Sequence, residues 1–185
     1  MIVMGIDPSI TCTGICISDG YKHIYNIITS KNTKKLRNFA HNRVHITIYN
    51  KLETKGLSNE MRETSKTDNI YNIVCAINAL IDAHHPDLVV MEGVAFNATG
   101  TVADLAGLNY IIRYILKTRN IPFIIATPTT IKKFAVGNGG ADKDLMVYAW
   151  EQLEPDLKDI KEIKTDDIAD AFFMAQYGLQ YPSVK

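Results

Sequence analysis

A chain of 185 residues, 46% hydrophobic and 22% charged, fits one globular domain with a full apolar core. No apolar run approaches the roughly 18–20 residues of a membrane span, and the opening "MIVMGID" lacks the basic flank and long apolar stretch of a secretory leader. Lys+Arg and Asp+Glu number 20 each, so overall charge taken alone argues against a polyanionic partner.

"MIVMGID" is a short apolar run ending in an acid and predicts a buried strand. "TGICISDG" and "YKHIYNIIT" predict two more strands around a hairpin turn at Asp19-Gly20. Residues 31–69 are polar, basic and poorly periodic; "VHITIY" within them reads as an edge strand and the rest as a mobile insertion. "DNIYNIVCAINALIDAHH" has helical spacing, ends at His84-His85 and is stopped by Pro86. "DLVVME" is a buried strand, "TVADLAGLNYIIRYILKTRN" a long helix and "PFIIAT" a further strand. "TPTTIKKFAVG" predicts a short helix with Thr127 as N-cap, Pro128 in its first position and Gly137 as terminator. "ADKDLMVYAWEQLE" and "KTDDIADAFFMAQYG" supply the last two helices.

Strands that give way to alternating helix and strand predict an α/β domain, a mixed central sheet of about five strands with helices on both faces. One domain over residues 1–185, with a basic insertion at about 31–69 and no internal repeat, accounts for the whole chain. Cys12, Cys16 and Cys75 form an odd set without a CxxC pair, which predicts reduced thiols and a cytoplasmic setting. Cys12 and Cys16 read as packing residues, and the five histidines show no metal-ligand spacing.

Charge is unevenly placed along the chain. Residues 31–69 hold nine Lys/Arg against four acids, and 113–143 hold six against one. Residues 144–170 hold three against nine, and 70–112 hold four acids with no Lys or Arg. Folding either intermixes these segments or builds a basic surface beside an acidic pocket.

The last helix poses the sharper problem. Thr165 as N-cap, with Asp166 and Asp167 complementing the helix dipole, explains two of its acids. Asp170 lies more than a turn in, three residues from Asp167 on the same face, where neighbouring carboxylates repel. Two strands also end in acids, Asp7 and Glu92, at the carboxyl edge where open α/β sheets place their functional crevice. If the last helix crosses those strands, Asp7, Glu92, Asp167 and Asp170 converge, and cations must offset their repulsion. Hard oxygen ligands on rigid elements suit Mg2+ or Mn2+. Two such ions about 3.5–4 Å apart would clamp a phosphodiester undergoing hydrolysis.

In four stretches the sequence resembles the RuvC family of Holliday-junction resolvases. These are "GIDPSITCTG" (5–14), "VVMEGV" (89–94), "GNGGADK" (137–143, preceded by "PTTIK") and "DIADAFF" (167–173), in the family's order. The resemblance implies a ribonuclease H-like fold and a metal-dependent, structure-specific endodeoxyribonuclease. It would resolve four-way junctions and related branched DNA by symmetric phosphodiester hydrolysis in recombination and replication. Asp7, Glu92, Asp167 and Asp170 would be the catalytic acids, binding two Mg2+ or Mn2+ ions. Lys132 and Lys143 would meet phosphates near the cut, with Asn138 in the adjoining loop also at the DNA; Asp166 has no counterpart and reads as a surface acid. Symmetric incision of a two-fold substrate implies a homodimer, with helix 101–119 (Val102, Leu105, Leu108, Ile112, Ile115) serving both core and dimer contact. The resemblance implies no membrane and no nucleotide cofactor.

Departures accompany the match. Ser9 replaces a glycine, Gly140 replaces an arginine, and Ala95 stands where the family inserts an aromatic wedge, with Phe96 beside it as a candidate substitute. The longer basic insertion and Asn/Lys/Ile-rich composition resemble phage-encoded members, which would place the protein in the host cytoplasm. Two alternatives stay open: a nuclease-dead or regulatory DNA-binding module with this fold, and an enzyme that cleaves RNA–DNA hybrids. The hairpin of sugar kinases and actin-like ATPases resembles "GIDPSITCTG" too, but the second hairpin and adenosine motif those proteins need are missing.

Overall fold

The computed structural model describes residues 1–94, 102–160, 162–163 and 165–181. Six strands form one sheet: β1 (Val3–Asp7), β2 (Cys12–Ser18), β3 (His23–Thr29), β4 (Val44–Ile48), β5 (Leu88–Glu92) and β6 (Phe123–Ala126). Their spatial order is β4-β3-β2-β1-β5-β6. β1, β2 and β3 are successively antiparallel, while β3 with β4, β1 with β5, and β5 with β6 run parallel. The helices are α1 (Lys34–Arg37), α2 (Asn59–His84), α3 (Val102–Thr118), α4 (Pro128–Val136), α5 (Lys143–Leu153) and α6 (Thr165–Gln180).

Strand alternation sorts the core into two layers. Met4, Ile6, Ile15, Ile17, Val89 and Met91 face Ile73, Ile77, Ile81, Leu108 and Ile112 of α2 and α3. Val3, Cys12, Cys16 and Val90 face α6 and its neighbours α4 and α5. Both faces are covered, so β1 and β5 read as unbroken apolar runs rather than alternating ones. Gly5 and Gly14 belong to the α6 face. A methyl at Gly5 would overlap the Ala171 carbonyl oxygen, and one at Gly14 the Asp167 carbonyl oxygen. These two glycines let the α6 backbone lie directly on β1 and β2.

Local signals hold where they are strong. At the hairpin, Gly20 has φ +99° and the Asp19 carboxylate accepts the Tyr21 and Lys22 N–H groups, each at 2.8 Å. Thr127 caps α4 by accepting the Thr130 N–H at 3.1 Å, Pro128 opens the helix, and Gly137 closes it at φ 76°. His85 ends α2 in a left-handed conformation. All three cysteines are free thiols, with Cys12 and Cys16 buried. Among the described residues, no helix is long and apolar enough to cross a membrane.

Two expectations need correction. The sheet has six strands rather than about five; the edge strand expected in "VHITIY" is β4, which pairs in parallel along β3. The stretch 59–69, expected in a mobile insertion, forms the first turns of α2. Ser58 caps it, Lys66 pairs with Glu63 at 2.9 Å, and the residues from Asn59 to Thr64 are exposed. No face is apolar there because no face packs, which leaves no period to detect. The helix first meets the core at Asn69 and Ile73.

A buried polar cluster fastens the entry of β4 to the end of α5. Glu154 accepts the Tyr25 hydroxyl at 3.0 Å and pairs with Arg43 at 2.8 Å, and Trp150 Nε1 donates to the Tyr25 hydroxyl at 3.2 Å. The buried carboxylate is thus compensated by a cation and a neutral donor.

Candidate active site

Asp7 and Glu92 close parallel neighbours. The β1–β5 register pairs Ile6 with Met91, so its next step sets Asp7 beside Glu92. Both occupy the α6 face of their strands, in phase with Val3 and Gly5 and with Leu88 and Val90. Asp170 comes from the second turn of α6, which Gly5 and Gly14 hold against the sheet. Asp7, Glu92 and Asp170 line one cavity of about 290 Å³ with Lys132, Lys143, Pro128, Ile131, Met146 and Met174. Asp167 is buried beneath Gly14 and adds its charge to Asp7 and Asp170 without lining that cavity.

The electrostatics are those of an anion-crowded site. Burial raises the Asp7 carboxyl well above the usual range, reinforced by the charges of Glu92, Asp170 and Asp167. Burial and then Asp170 raise Glu92, while a hydrogen bond with Asp7 favours its ionised form. Both groups are thus held toward their protonated forms by burial and by the charge of neighbouring carboxylates. Asp170 is pushed up to about 6, chiefly by burial; Asp166 and Asp167 also push it up, against the downward pull of Lys143 and Lys132. Among the described residues no three acids, histidines or cysteines form a closed cage for a single ion. Three of the carboxylates, Asp7, Glu92 and Asp170, share one cavity with the two lysines Lys132 and Lys143.

The two lysines reach the cavity from different elements. Lys132 sits mid-way along α4. Lys143 is the first residue of α5, whose N-cap Asp142 accepts the Leu145 N–H at 2.9 Å. Its ammonium pairs with Asp166 at 2.8 Å, and that contact is the main reason its pKa rises.

A family model described as "Crossover junction endodeoxyribonuclease RuvC" matches residues 3–176. The chain belongs to the RuvC family. It is 28% identical over 172 residues to the RuvC of Dictyoglomus thermophilum, a match covering 92% of this chain and 91% of that one. It is 31% identical over 102 residues to the RuvC of Gloeobacter violaceus, where the match spans 55% of this chain and 57% of the relative. Among solved structures, Thermus thermophilus RuvC in complex with a Holliday junction substrate has a TM-score of 0.62 at 17% identity, covering 98% of this chain and 94% of that one. That likeness bears out the ribonuclease H-like fold.

Within this RuvC frame the expected residues divide. Asp7, Glu92, Asp170, Lys132 and Lys143 meet at one cavity, with Asp167 directly behind it. Asn138 does not line the cavity; its side-chain oxygen accepts the Gly140 N–H at 3.0 Å and shapes its own loop. Phe96 and Ala95 lie outside the described residues. Asp166, expected as a surface acid, is the partner of Lys143. Its 23-residue separation from Lys143 in the chain left no local signal. Gly5 and Gly14 were legible as parts of a motif, but not as the seats of α6. In α3, where a dimer contact was expected, Leu108 and Ile112 are spent on the core, and the exposed apolar residues are Tyr110, Ile111 and Tyr114.

Proposed function

We propose that this protein is a metal-dependent endodeoxyribonuclease that resolves four-way DNA junctions by paired phosphodiester hydrolysis. The observation that carries it is the meeting of Asp7, Glu92 and Asp170 with Lys132 and Lys143 in one cavity of a RuvC-family chain. Asp7, Glu92 and Asp170, with raised affinity for protons, and Asp167 behind them make an all-oxygen set that suits Mg2+ or Mn2+, so Asp7, Glu92, Asp167 and Asp170 are the residues that would hold two such ions. Bound there, the ions would supply Lewis-acid stabilisation and a water of lowered pKa. Lys132 and Lys143 bind non-bridging phosphate oxygens and stabilise the charge that develops at the scissile group. The cleft walls Pro128, Ile131, Met146 and Met174 limit water around the reacting phosphate. The test is a panel of labelled junction, fork, RNA–DNA hybrid and linear duplex in magnesium, with the cuts mapped. Paired symmetric cuts in the junction are expected. Preferential cutting of the hybrid would overturn the substrate assignment.

Asp166 enters this reading as a positioning residue that aims Lys143 at the cavity. Lys143→Ala is expected to lower the slope of log affinity against log salt by about one. Asp166→Ala should slow single-turnover cleavage about tenfold while changing junction affinity little, and Asp166→Glu should restore much of the rate. Equal losses in binding and rate from Asp166→Ala would return it to a surface role.

We infer further that the active form is a homodimer, joined through the exposed α3 face of Tyr110, Ile111 and Tyr114. Light scattering should report a dimer, and Tyr110→Ser with Tyr114→Ser should yield monomers. A parent chain that stays monomeric both alone and on junction DNA overturns the assignment.

A further inference from the structure

Residues 31–55 carry seven Lys/Arg against one acid, Glu53, whereas 56–69 carry two against three. The positive charge of this region belongs to the added strand β4 and its flanks, not to the exposed turns of α2. Topology decides where that charge sits. β3 is antiparallel to β2, which is antiparallel to β1, and β4 is parallel to β3. β3 and β4 therefore end at the same sheet edge as Asp7 and Glu92. Lys31 follows the last residue of β3 by two positions, and Lys51 follows the last residue of β4 by three.

This edge is tied to the loop after Asp7. The Thr29 hydroxyl donates to the Thr11 carbonyl at 3.0 Å, and the Tyr49 hydroxyl donates to the Ile10 carbonyl at 2.6 Å. Beyond Lys51, Leu52 is held by Asn69 through two hydrogen bonds, at 2.9 and 3.1 Å. Other cations of the segment are engaged elsewhere. Arg37 bonds Asn32 and Arg43 bonds Glu154. Lys34 and Lys35 line a groove with Asp156, Asp159 and Glu162, a setting that repels phosphate. Lys31, Lys51 and Lys55 remain, all exposed.

We propose that Lys31, Lys51 and Lys55 form a phosphate-binding shelf for one duplex arm of the substrate, beside the cut. Three inter-strand spacings of about 4.8 Å separate β1 from β4, roughly 14 Å. At about 3.4 Å per base pair the shelf meets the backbone about four base pairs from the scissile phosphate. The shelf rests on the nuclease reading above and adds to it a contact for the double-stranded arm.

The experiment measures the affinity of the full chain for a labelled synthetic four-way junction in calcium buffer across a potassium chloride series. Changing Lys31, Lys51 and Lys55 together to Ala should lower the salt slope by about two to three. Changing the three to Arg should keep the parent slope, and Lys34→Ala with Lys35→Ala should lower it by less than about one. Methylphosphonates placed about four base pairs from the cut should weaken the parent but not the triple Ala variant. A parent-like slope in the triple Ala variant, or an equal loss from the Lys34/Lys35 pair, overturns the shelf while leaving the nuclease reading intact. A parent chain that neither binds nor cuts the junction overturns both.

Discussion

Junction cleavage by Asp170→Asn is expected to fall roughly a thousandfold, about 4 kcal/mol of barrier at 1.36 kcal/mol per decade. The substitution keeps size and hydrogen-bonding capacity and removes one charge from the proposed cation site, so junction binding in calcium should persist. Its stability should move the other way. Asp170 in the folded protein titrates at about 6, above the usual 3.8. The folded state then binds that proton more tightly than the unfolded state. The stability this group contributes is present below about pH 4 and lost as pH rises through about 6. At pH 7 without metal, Asp170→Asn should therefore exceed the parent by on the order of 2 kcal/mol. The gap should close as the pH falls from about 6 towards 4. Denaturant unfolding at pH 7 and pH 4.5 reads both values, and a variant less stable than the parent at pH 7 would show that Asp170 serves the helix, not a cation.

Gly14→Ala should cost about 2–3 kcal/mol of stability and lower cleavage further in the molecules that remain folded. The added methyl meets the Asp167 carbonyl oxygen, so relief requires α6 to lift from β2, carrying Asp167 and Asp170 away from Asp7 and Glu92. Gly140→Ala is the control: the nearest atom to a methyl there is Asn138 Oδ1, at ordinary contact distance of 3.5 Å. Urea unfolding should show the loss in the first variant and a change within about 0.5 kcal/mol in the second. Equal stability of both would mean that α6 can shift on the sheet without cost.

The sequence revealed most where the information is local. Thr127, Pro128 and Gly137 bound α4 through contacts within a few residues, and Asp19-Gly20 fixes its hairpin through the bonds of one side chain. The acids at the ends of β1 and β5 stood out because a strand end in an α/β sheet is a place where a carboxylate is useful. What stayed hidden depends on residues far apart in the chain. The Lys143–Asp166 pair and the contact of Gly14 with Asp167 arise only once α6 and the sheet have met, and the parallel seating of β4 only once β3 is in place to receive it. The exposed turns of α2 were missed for another reason: capping and the ion pairs of Lys66 with Glu63 and with Asp104 hold them, and neither leaves an apolar period.

The proposed catalysis at this site requires that the four acids bind a divalent cation. Calorimetric titration of Mn2+ into the metal-free full chain near pH 6 measures this directly. Binding with release of protons is expected, because the cation displaces protons that the crowded carboxyls hold, and Asp7→Asn should abolish most of the heat. Indistinguishable binding by the parent and Asp7→Asn would contradict a cation site at these carboxylates.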